Sequence, residues 1–139
     1  MTTFRHVLVA CDDSDGARQA LARAADLTGP GDVVSVVNVM PEPGVSARLE
    51  PPEGLARQAL VLDEAQQFLA ARGIEARAIA PVGNPASEIL TEREHADLIV
   101  IARHSGHVAH LLGSVSGRVV RSAHCDVLVV HGTDSGARR

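Results

Sequence analysis

The chain of 139 residues contains no Lys, no Trp and no Tyr, and its only two Phe residues are Phe4 and Phe68. All 13 basic residues are therefore Arg. The lack of Lys excludes a Schiff-base enzyme, a Walker-type phosphate loop and a kinase-type catalytic Lys. The scarcity of aromatic rings excludes a stacking platform for single-stranded nucleic acid and an aromatic cage for a methylated cation. A formal charge of −4 also argues against nucleic acid as a partner.

Long apolar runs and cysteines are scarce as well. No run approaches the length of a membrane span, and the first residues do not resemble a signal peptide, so no membrane partner is predicted. The two cysteines, Cys11 and Cys125, are too few for a disulfide framework and indicate a reducing compartment. We therefore predict a cytoplasmic protein.

Short apolar runs rich in Val and Ile alternate along the chain with stretches in which Ala, Leu and Val recur at helical spacing. This alternation predicts an α/β fold, a three-layer, open, parallel, five-stranded sheet with helices on both faces, of Rossmann-like type. We expect a single domain over residues 1–132 and a disordered tail over residues 133–139. The predicted strands are residues 6–11, 33–39, 75–80, 97–101 and 127–130.

Turn and cap residues divide these elements. The cluster at residues 12–16 predicts an N-cap for the first helix, and Asn84 followed by Pro85 predicts the start of another. Residues 40–54, rich in Pro and Glu, are predicted to form a mobile lid or a binding loop before a helix that begins at Leu55.

Ligands of open parallel sheets bind beyond the carboxyl ends of the strands, where the strand order reverses. Residues 11–14, 38–40 and 102–116 are predicted to meet at that edge. The stretch from Gly113 to Ser116 places small residues and two hydroxyl groups at a helix N-terminus, which can bind an anion without Lys. An ordinary helix cap is an equally good interpretation of its spacing.

Four segments carry motifs that together resemble one known family. They are residues 6–14 (HVLVACDDS), 82–90 (VGNPASEIL), 97–101 (DLIVI) and 111–130 (LLGSVSGRVVRSAHCDVLVV). The chain is similar over nearly its whole length to the universal stress proteins (UspA-like) of the adenine nucleotide alpha-hydrolase-like superfold. The resemblance implies the sheet order 3-2-1-4-5. In that order a strand separates the strands that carry Cys11 and Cys125, so their thiols are not expected to pair.

In the ATP-binding branch of that family, the resemblance also implies a nucleotide site. Asp12 would hold the adenine and ribose region, Val39 would pack on the base, and Gly113, Ser114, Val115 and Ser116 would surround the phosphates. ATP, with Mg²⁺, is the implied cofactor.

The chain departs from the Gly-x-x-Gly motif of that branch, which is followed by nine residues and then Gly-Ser/Thr. Ala102 stands at the first Gly position when the fourth strand is kept aligned, and only Gly106 remains in a loop about two residues short. Arg103 can supply positive charge to an anion there. These departures leave open whether ATP binding is retained.

Three other interpretations remain open. His104, His107 and His110 are spaced three apart, which permits a metal site, but a solvated polar loop is the favoured interpretation and no metal ligand is predicted. Catalysis has little support, because no nucleophile elbow and no general base can be placed. The last strand (Val127, Leu128, Val129 and Val130) is predicted to be an edge strand, covered by its copy in a homodimer, which the resemblance also implies, or by a terminal segment.

These observations predict a universal stress protein that binds an adenine nucleotide as a stress-response signalling module, with at most slow hydrolysis. The alternative is a member that does not bind ATP and acts as a dimeric interaction module. Both hypotheses imply a protein partner that the sequence does not identify.

Overall fold

The computed structural model describes residues 4–12, 14–42, 51–92, 96–103 and 114–131. Strands and helices alternate along the chain. In order they are β1 (His6–Ala10), α1 (Asp15–Asp26), β2 (Val33–Val37), α2 (Pro51–Ala70), β3 (Ala76–Ile79), α3 (Pro85–Thr91), β4 (Leu98–Ala102), α4 (Ser114–Ser122) and β5 (Asp126–Val130).

The five strands form one parallel sheet in the order β3-β2-β1-β4-β5. Both the parallel pairing and the strand order predicted from the sequence are therefore confirmed. Strand β1 lies in the middle, between β2 and β4, and the strand order reverses beside it. This reversal is the point at which open α/β sheets have room for a ligand.

Two apolar clusters, one on each face of the sheet, make the molecule three-layered. On one face, α1 and α2 pack on alternate strand residues that include Val7, Val9 and Val34. On the other face, Ile89 of α3 and Val119 of α4 pack with Leu8 and Ile99 among others. Since both faces of the central strands are buried, their nearly continuous apolar sequences are explained.

The helix starts follow from local capping. The Ser14 hydroxyl accepts a hydrogen bond from the Ala17 N–H at 3.2 Å, which caps α1. Asn84 Oδ1 accepts from the Ser87 N–H at 3.0 Å, and Pro85 is the first residue of α3. Both N-termini confirm the predicted caps, because Ser, Asn and an initial Pro satisfy or remove N–H groups that a first helical turn cannot pair.

Two predicted boundaries are wrong by more than one residue. Helix α2 begins at Pro51, four residues before the predicted Leu55, because prolines fit a first helical turn that needs no N–H donors. Strand β2 ends at Val37 rather than Val39. The rest of the proposed lid, residues 43–50, lies outside the described residues, as does the proposed tail.

The two cysteines form no disulfide, as predicted. Cys11 is buried in the cluster under α1 and α2, whereas Cys125 is half-buried on the other face. Within the described ranges, no helix is both long enough and apolar enough to cross a membrane.

Candidate functional site

The carboxyl edge of the sheet brings the ends of β1, β2 and β4 side by side. Asp12 follows β1, Val39 lies two residues beyond β2, and Ala102 and Arg103 end β4. Helix α4 begins with Ser114 after the connection from β4. We call Cys11, Asn38, Val39 and Gln58 the β2 side of the edge. Ala102, Arg103, Ser114, Val115 and Ser116 form its α4 side.

On the β2 side, regular sheet pairing stops between β1 and β2 at Cys11. The Cys11 N–H still donates to the Val37 carbonyl at 2.9 Å. The next donor in a parallel ladder would be the Val39 N–H, directed at the Cys11 carbonyl. That carbonyl instead accepts a hydrogen bond from Nδ2 of Asn38 at 2.7 Å. A side-chain amide therefore occupies the place of a backbone donor.

A second interruption lies between β2 and β3, at Pro81. The Asn38 N–H donates to the Ile79 carbonyl at 3.2 Å, so the next rung would need an N–H at residue 81, which proline lacks. Nε2 of Gln58, a buried residue of α2, donates instead to the Asn38 carbonyl at 2.6 Å and to the Pro81 carbonyl at 2.9 Å. The Asn38 and Pro81 carbonyls thereby have donors without a regular strand.

Cys11 and Asp12 form the part of the edge nearest the middle of the sheet. Asp12 is exposed, and its Oδ1 accepts a hydrogen bond from the Ser14 N–H at 2.8 Å. Burial, and secondarily the negative charge of Asp12, raises the pKa of the Cys11 thiol from 9.0 to about 12. The thiol is therefore protonated and unreactive at neutral pH, as expected for a small apolar core residue.

The end of β4 lies against the start of α1. A Cβ atom added to Gly16 would stand only 2.9 Å from the Cβ of Ala102, so any side chain at Gly16 would push α1 away from β4. The Ala102 methyl group therefore occupies space at the edge that a glycine in its place would leave open. Ala102 is half-buried.

The α4 side presents hydroxyl groups and a cation. Ser114 is exposed at the first position of α4, Val115 is half-buried, and Ser116 is buried. The Arg103 N–H donates to the Val130 carbonyl at 2.8 Å, and its Nη1 lies 3.2 Å from Nδ1 of His131. Helix dipole, hydroxyl groups and guanidinium are the features that attract an anion.

A contact missed from the sequence joins α4 to α3. Nη1 of Arg118, one helical turn after Ser114, donates to Oδ1 of Asn84 at 3.1 Å. The sequence also did not indicate Gln58 or His131. Pro81, just after a predicted strand, could have indicated a role for a side-chain donor such as Gln58. Proline has no N–H, so the carbonyl that it would have paired on the neighbouring strand needs another donor.

Of the nine residues predicted for the site, Asp12, Val39, Ala102 and Arg103 lie at the carboxyl ends of adjacent strands, and Ser114, Val115 and Ser116 form the first turn of α4. Gly106 and Gly113 lie outside the described residues, and so do His104, His107 and His110. Among the residues that the structure describes, no three His, Cys, Asp or Glu side chains are grouped to hold a metal ion.

A five-stranded parallel sheet of this order, with polar groups at the reversal point, defines a Rossmann-like α/β protein with a candidate ligand site at its carboxyl edge. The model of the universal stress protein family matches residues 3–131. The chain is 32% identical over 148 residues to universal stress protein Rv1636 of Mycobacterium tuberculosis, with 96% of this chain and 100% of that protein covered. The chain therefore belongs to the universal stress protein family.

Two similar solved structures contain nucleotides. A universal stress protein in complex with cAMP is 26% identical, with a TM-score of 0.74, and the match covers 95% of this chain and 100% of the other. The universal stress protein of Archaeoglobus fulgidus in complex with dAMP is 25% identical, with a TM-score of 0.70, over 89% and 95% of the two chains.

Proposed function

We propose that this protein binds an adenine nucleotide at the carboxyl edge of β1 and β4 and acts as a stress-response signalling module with at most slow hydrolysis. The observation that carries the proposal is the occurrence of adenine nucleotides, cAMP and dAMP, in two related structures of the same fold. The arrangement of polar and apolar groups at this edge supports it.

Each side of the edge suits a different part of a nucleotide. Val39, half-buried next to Asn38, offers an apolar wall for the base, and the exposed Asp12 carboxylate can accept a hydrogen bond from a ribose hydroxyl. Phosphate groups would lie near Arg103, Ser114 and Ser116. The remaining proposed contacts are Ala102, Gly106, Gly113 and Val115.

ATP with Mg²⁺ is the cofactor form that we propose. The α4 side fits a polyphosphate, because it combines a helix N-terminus with two hydroxyl groups and Arg103. Mg²⁺ prefers oxygen ligands, and the Asp12 carboxylate together with phosphate oxygens would provide them. Bound Mg²⁺ would neutralise part of the phosphate charge.

The second candidate is a dimeric interaction module that does not bind ATP. The Ala102 methyl group favours it, since that group fills space at the edge beside α1. In this case the start of α4 would be an ordinary helix N-terminus, and the Arg103 guanidinium would stay beside His131.

Release of the bound molecule distinguishes the two candidates. Protein purified without added nucleotide is denatured and filtered, and the filtrate is analysed by mass spectrometry. The apo protein is then titrated calorimetrically with ATP and Mg²⁺, AMP and cAMP. We expect either a recovered adenine nucleotide or saturable binding of at least one of the three. If no nucleotide is recovered and no heat of binding is measured at millimolar concentrations, the nucleotide-binding proposal is excluded and the interaction module is favoured.

A pair of valine variants locates the site. Val39→Glu places a carboxylate against the proposed base wall, whereas Val120→Glu places one on the exposed part of α4, where Val120 is 42% exposed. We expect Val39→Glu to weaken nucleotide binding by at least about tenfold and Val120→Glu to leave it within about twofold. Equal affinities in the two variants would place the nucleotide elsewhere.

We further propose a cytoplasmic homodimer formed through Val127, Leu128, Val129 and Val130. Among the strands that the structure describes, β5 pairs with β4 alone. The Arg103 bond to the Val130 carbonyl leaves the backbone of Val127 and Val129 on the outer edge. Val129→Pro removes an outward N–H without breaking the inner ladder. Light scattering should show a dimer for the wild type and a folded monomer for this variant; an unchanged mass would exclude pairing through this edge.

A further inference from the structure

The first turn of α2 adds no buried side chain to the core. None of the residues from Glu53 to Arg57 is buried, and Leu55 is 51% exposed. Gln58 is the first buried residue after them, and its amide donates to carbonyls beyond the ends of β2 and β3. The position of the turn before Gln58 therefore depends on partly exposed contacts.

Met40 makes one of these contacts, with Gly54. A Cβ atom added to Gly54 would stand only 2.8 Å from Sδ of Met40 and 3.4 Å from its Cγ. The thioether therefore lies directly against the backbone of α2, in space that a glycine leaves open. An apolar contact of this kind is stabilised by dispersion and by the exclusion of water.

The backbone of Met40 is fixed at the carboxyl edge of the sheet. Its N–H donates to the Pro81 carbonyl at 3.0 Å, and its carbonyl accepts a hydrogen bond from the Gly83 N–H at 2.9 Å. These two bonds pair Met40 with Val82 in an isolated parallel bridge. Because the main chain is held on both sides, a change in the size or polarity of the Met40 side chain acts on Gly54.

The Met40 sulfur is accessible to an oxidant. Met40 is half-buried, whereas Cys11 is buried and its thiol is protonated at neutral pH. Cys125 is half-buried on the other face of the sheet. A thioether, unlike a thiol, needs no deprotonation before it reacts with a peroxide, so access alone limits its oxidation.

We propose that Met40 is a modification site at which a hydroperoxide forms methionine sulfoxide, and that the sulfoxide releases the first turn of α2 from the sheet. A lone pair of Sδ attacks one peroxide oxygen, so that an S–O bond forms as the O–O bond breaks. The proton of the transferred hydroxyl passes to the leaving oxygen, the sulfur is oxidised and the peroxide is reduced to water or an alcohol. The polar product no longer suits the apolar contact with Gly54. This modification is independent of the proposed nucleotide site.

Hydrogen peroxide tests the proposal on the wild type. Peptide mass spectrometry locates the added oxygen and separates Met40 from Met1, the other methionine of the chain. Amide hydrogen exchange is then followed by NMR for residues 55–58, whose N–H groups pair with carbonyls of the first turn, and for residues 63–69 as the internal control.

We expect Met40 in the folded protein to be oxidised within about tenfold of the rate of N-acetylmethionine. Exchange at residues 55–58 should become at least about fivefold faster, and exchange at residues 63–69 should stay within about twofold. Slower oxidation, unchanged exchange at residues 55–58, or faster exchange along the whole helix would each overturn the proposal.

Two variants separate polarity from the peroxide treatment itself. Met40→Gln places a polar group of similar length against Gly54 and should reproduce the fast exchange at residues 55–58 without peroxide. Met40→Leu keeps an apolar side chain that has no sulfur, so its exchange should match that of the untreated wild type and should not respond to peroxide. A methionine sulfoxide reductase should return the oxidised wild type to its initial rates. A response of Met40→Leu equal to that of the wild type would mean that another residue is the target, and the proposal would fail.

Discussion

The β2 side of the carboxyl edge is closed by side-chain amides whose hydrogen bonds are all internal, whereas the α4 side presents an exposed hydroxyl at Ser114 and a cation at Arg103. Groups of the first kind hold the fold together, because their loss leaves buried carbonyls without donors. Groups of the second kind lie at the surface, where they contribute little to folding and where a charged ligand can approach them. Substitutions of the Asn38 and Gln58 amides should therefore alter stability first, and substitutions on the α4 side should alter binding first.

The largest expected effect is on the β2 side. Gln58→Leu leaves the Asn38 carbonyl without its side-chain donor and removes a second bond to Pro81, so we expect the free energy of unfolding to fall by about 2–4 kcal/mol. Gln66→Leu, which loses one bond, should cost about 1 kcal/mol. Urea denaturation of both variants measures the difference. Equal losses of unfolding free energy would show that the bonds of Gln58 contribute no more to stability than the single bond of Gln66.

A smaller effect, on binding alone, is expected on the α4 side. Ser114→Asp adds a negative charge at the exposed N-terminus of α4, where the helix dipole tolerates it. We expect the affinity for ATP to fall about tenfold and the melting temperature to stay the same or rise. Adenosine, which lacks phosphates, is the control ligand and should bind the variant as it binds the wild type. A matching loss for adenosine would place the phosphates away from Ser114.

Alkaline pH tests the burial of Cys11 on the β2 side. The folded pKa of about 12 exceeds the unfolded value of 9.0, so between these values the folded state retains a proton that the unfolded chain has lost. The contribution of the buried thiol to the free energy of unfolding is fully present below pH 9. Above pH 9 this contribution should fall by up to about 1.4 kcal/mol per pH unit. The chain has no Lys and no Tyr to titrate in this range.

Urea denaturation at pH 8 and pH 10 measures this dependence, with Cys11→Ala as the control that lacks the thiol. The wild type should lose more stability than Cys11→Ala between the two pH values. If both proteins lose the same amount, the Cys11 thiol is not the group that titrates.

The smallest expected effect concerns Arg103. Its guanidinium lies beside His131 at the surface, where charge interactions are screened by solvent and salt. We expect Arg103→Gln to weaken ATP binding about threefold and to leave the stability within about 0.5 kcal/mol. Calorimetric titrations at low and high salt should show the loss shrinking as salt increases. An undiminished loss at high salt would mean that Arg103 acts through geometry rather than charge.

The fold was predictable from the sequence because each element carries its own signal. The Val-rich strands, the Ser14 and Asn84 caps and the residues that resemble the family's motifs agree with one another, and together they predicted the sheet order that the structure has. The start of α2 was missed because Pro51 and Pro52 are typical both of loops and of a first helical turn.

The site was predictable only in part. The strand ends placed Asp12, Val39 and Ala102 at one edge, since parallel strands share their carboxyl ends. The roles of Asn38 and Gln58 depend on the register between neighbouring strands. That register places Pro81, which has no N–H, where a donor to the Asn38 carbonyl is needed. Arg118 and Asn84 are 34 positions apart in the chain and come into contact because α3 packs on α4. Local sequence patterns do not predict a contact between residues so far apart.

The proposed nucleotide site lies at the carboxyl ends of β1 and β2 and at the start of α4. A titration of the isotope-labelled protein with ATP and Mg²⁺, followed by two-dimensional NMR of the backbone amides, tests it most directly. We expect saturable shifts at Asp12, Val39, Ser114 and Ser116, and none at the opposite end of the sheet, near Ala76. Saturable shifts that are confined to other residues, or an unchanged spectrum at millimolar ATP, would contradict it.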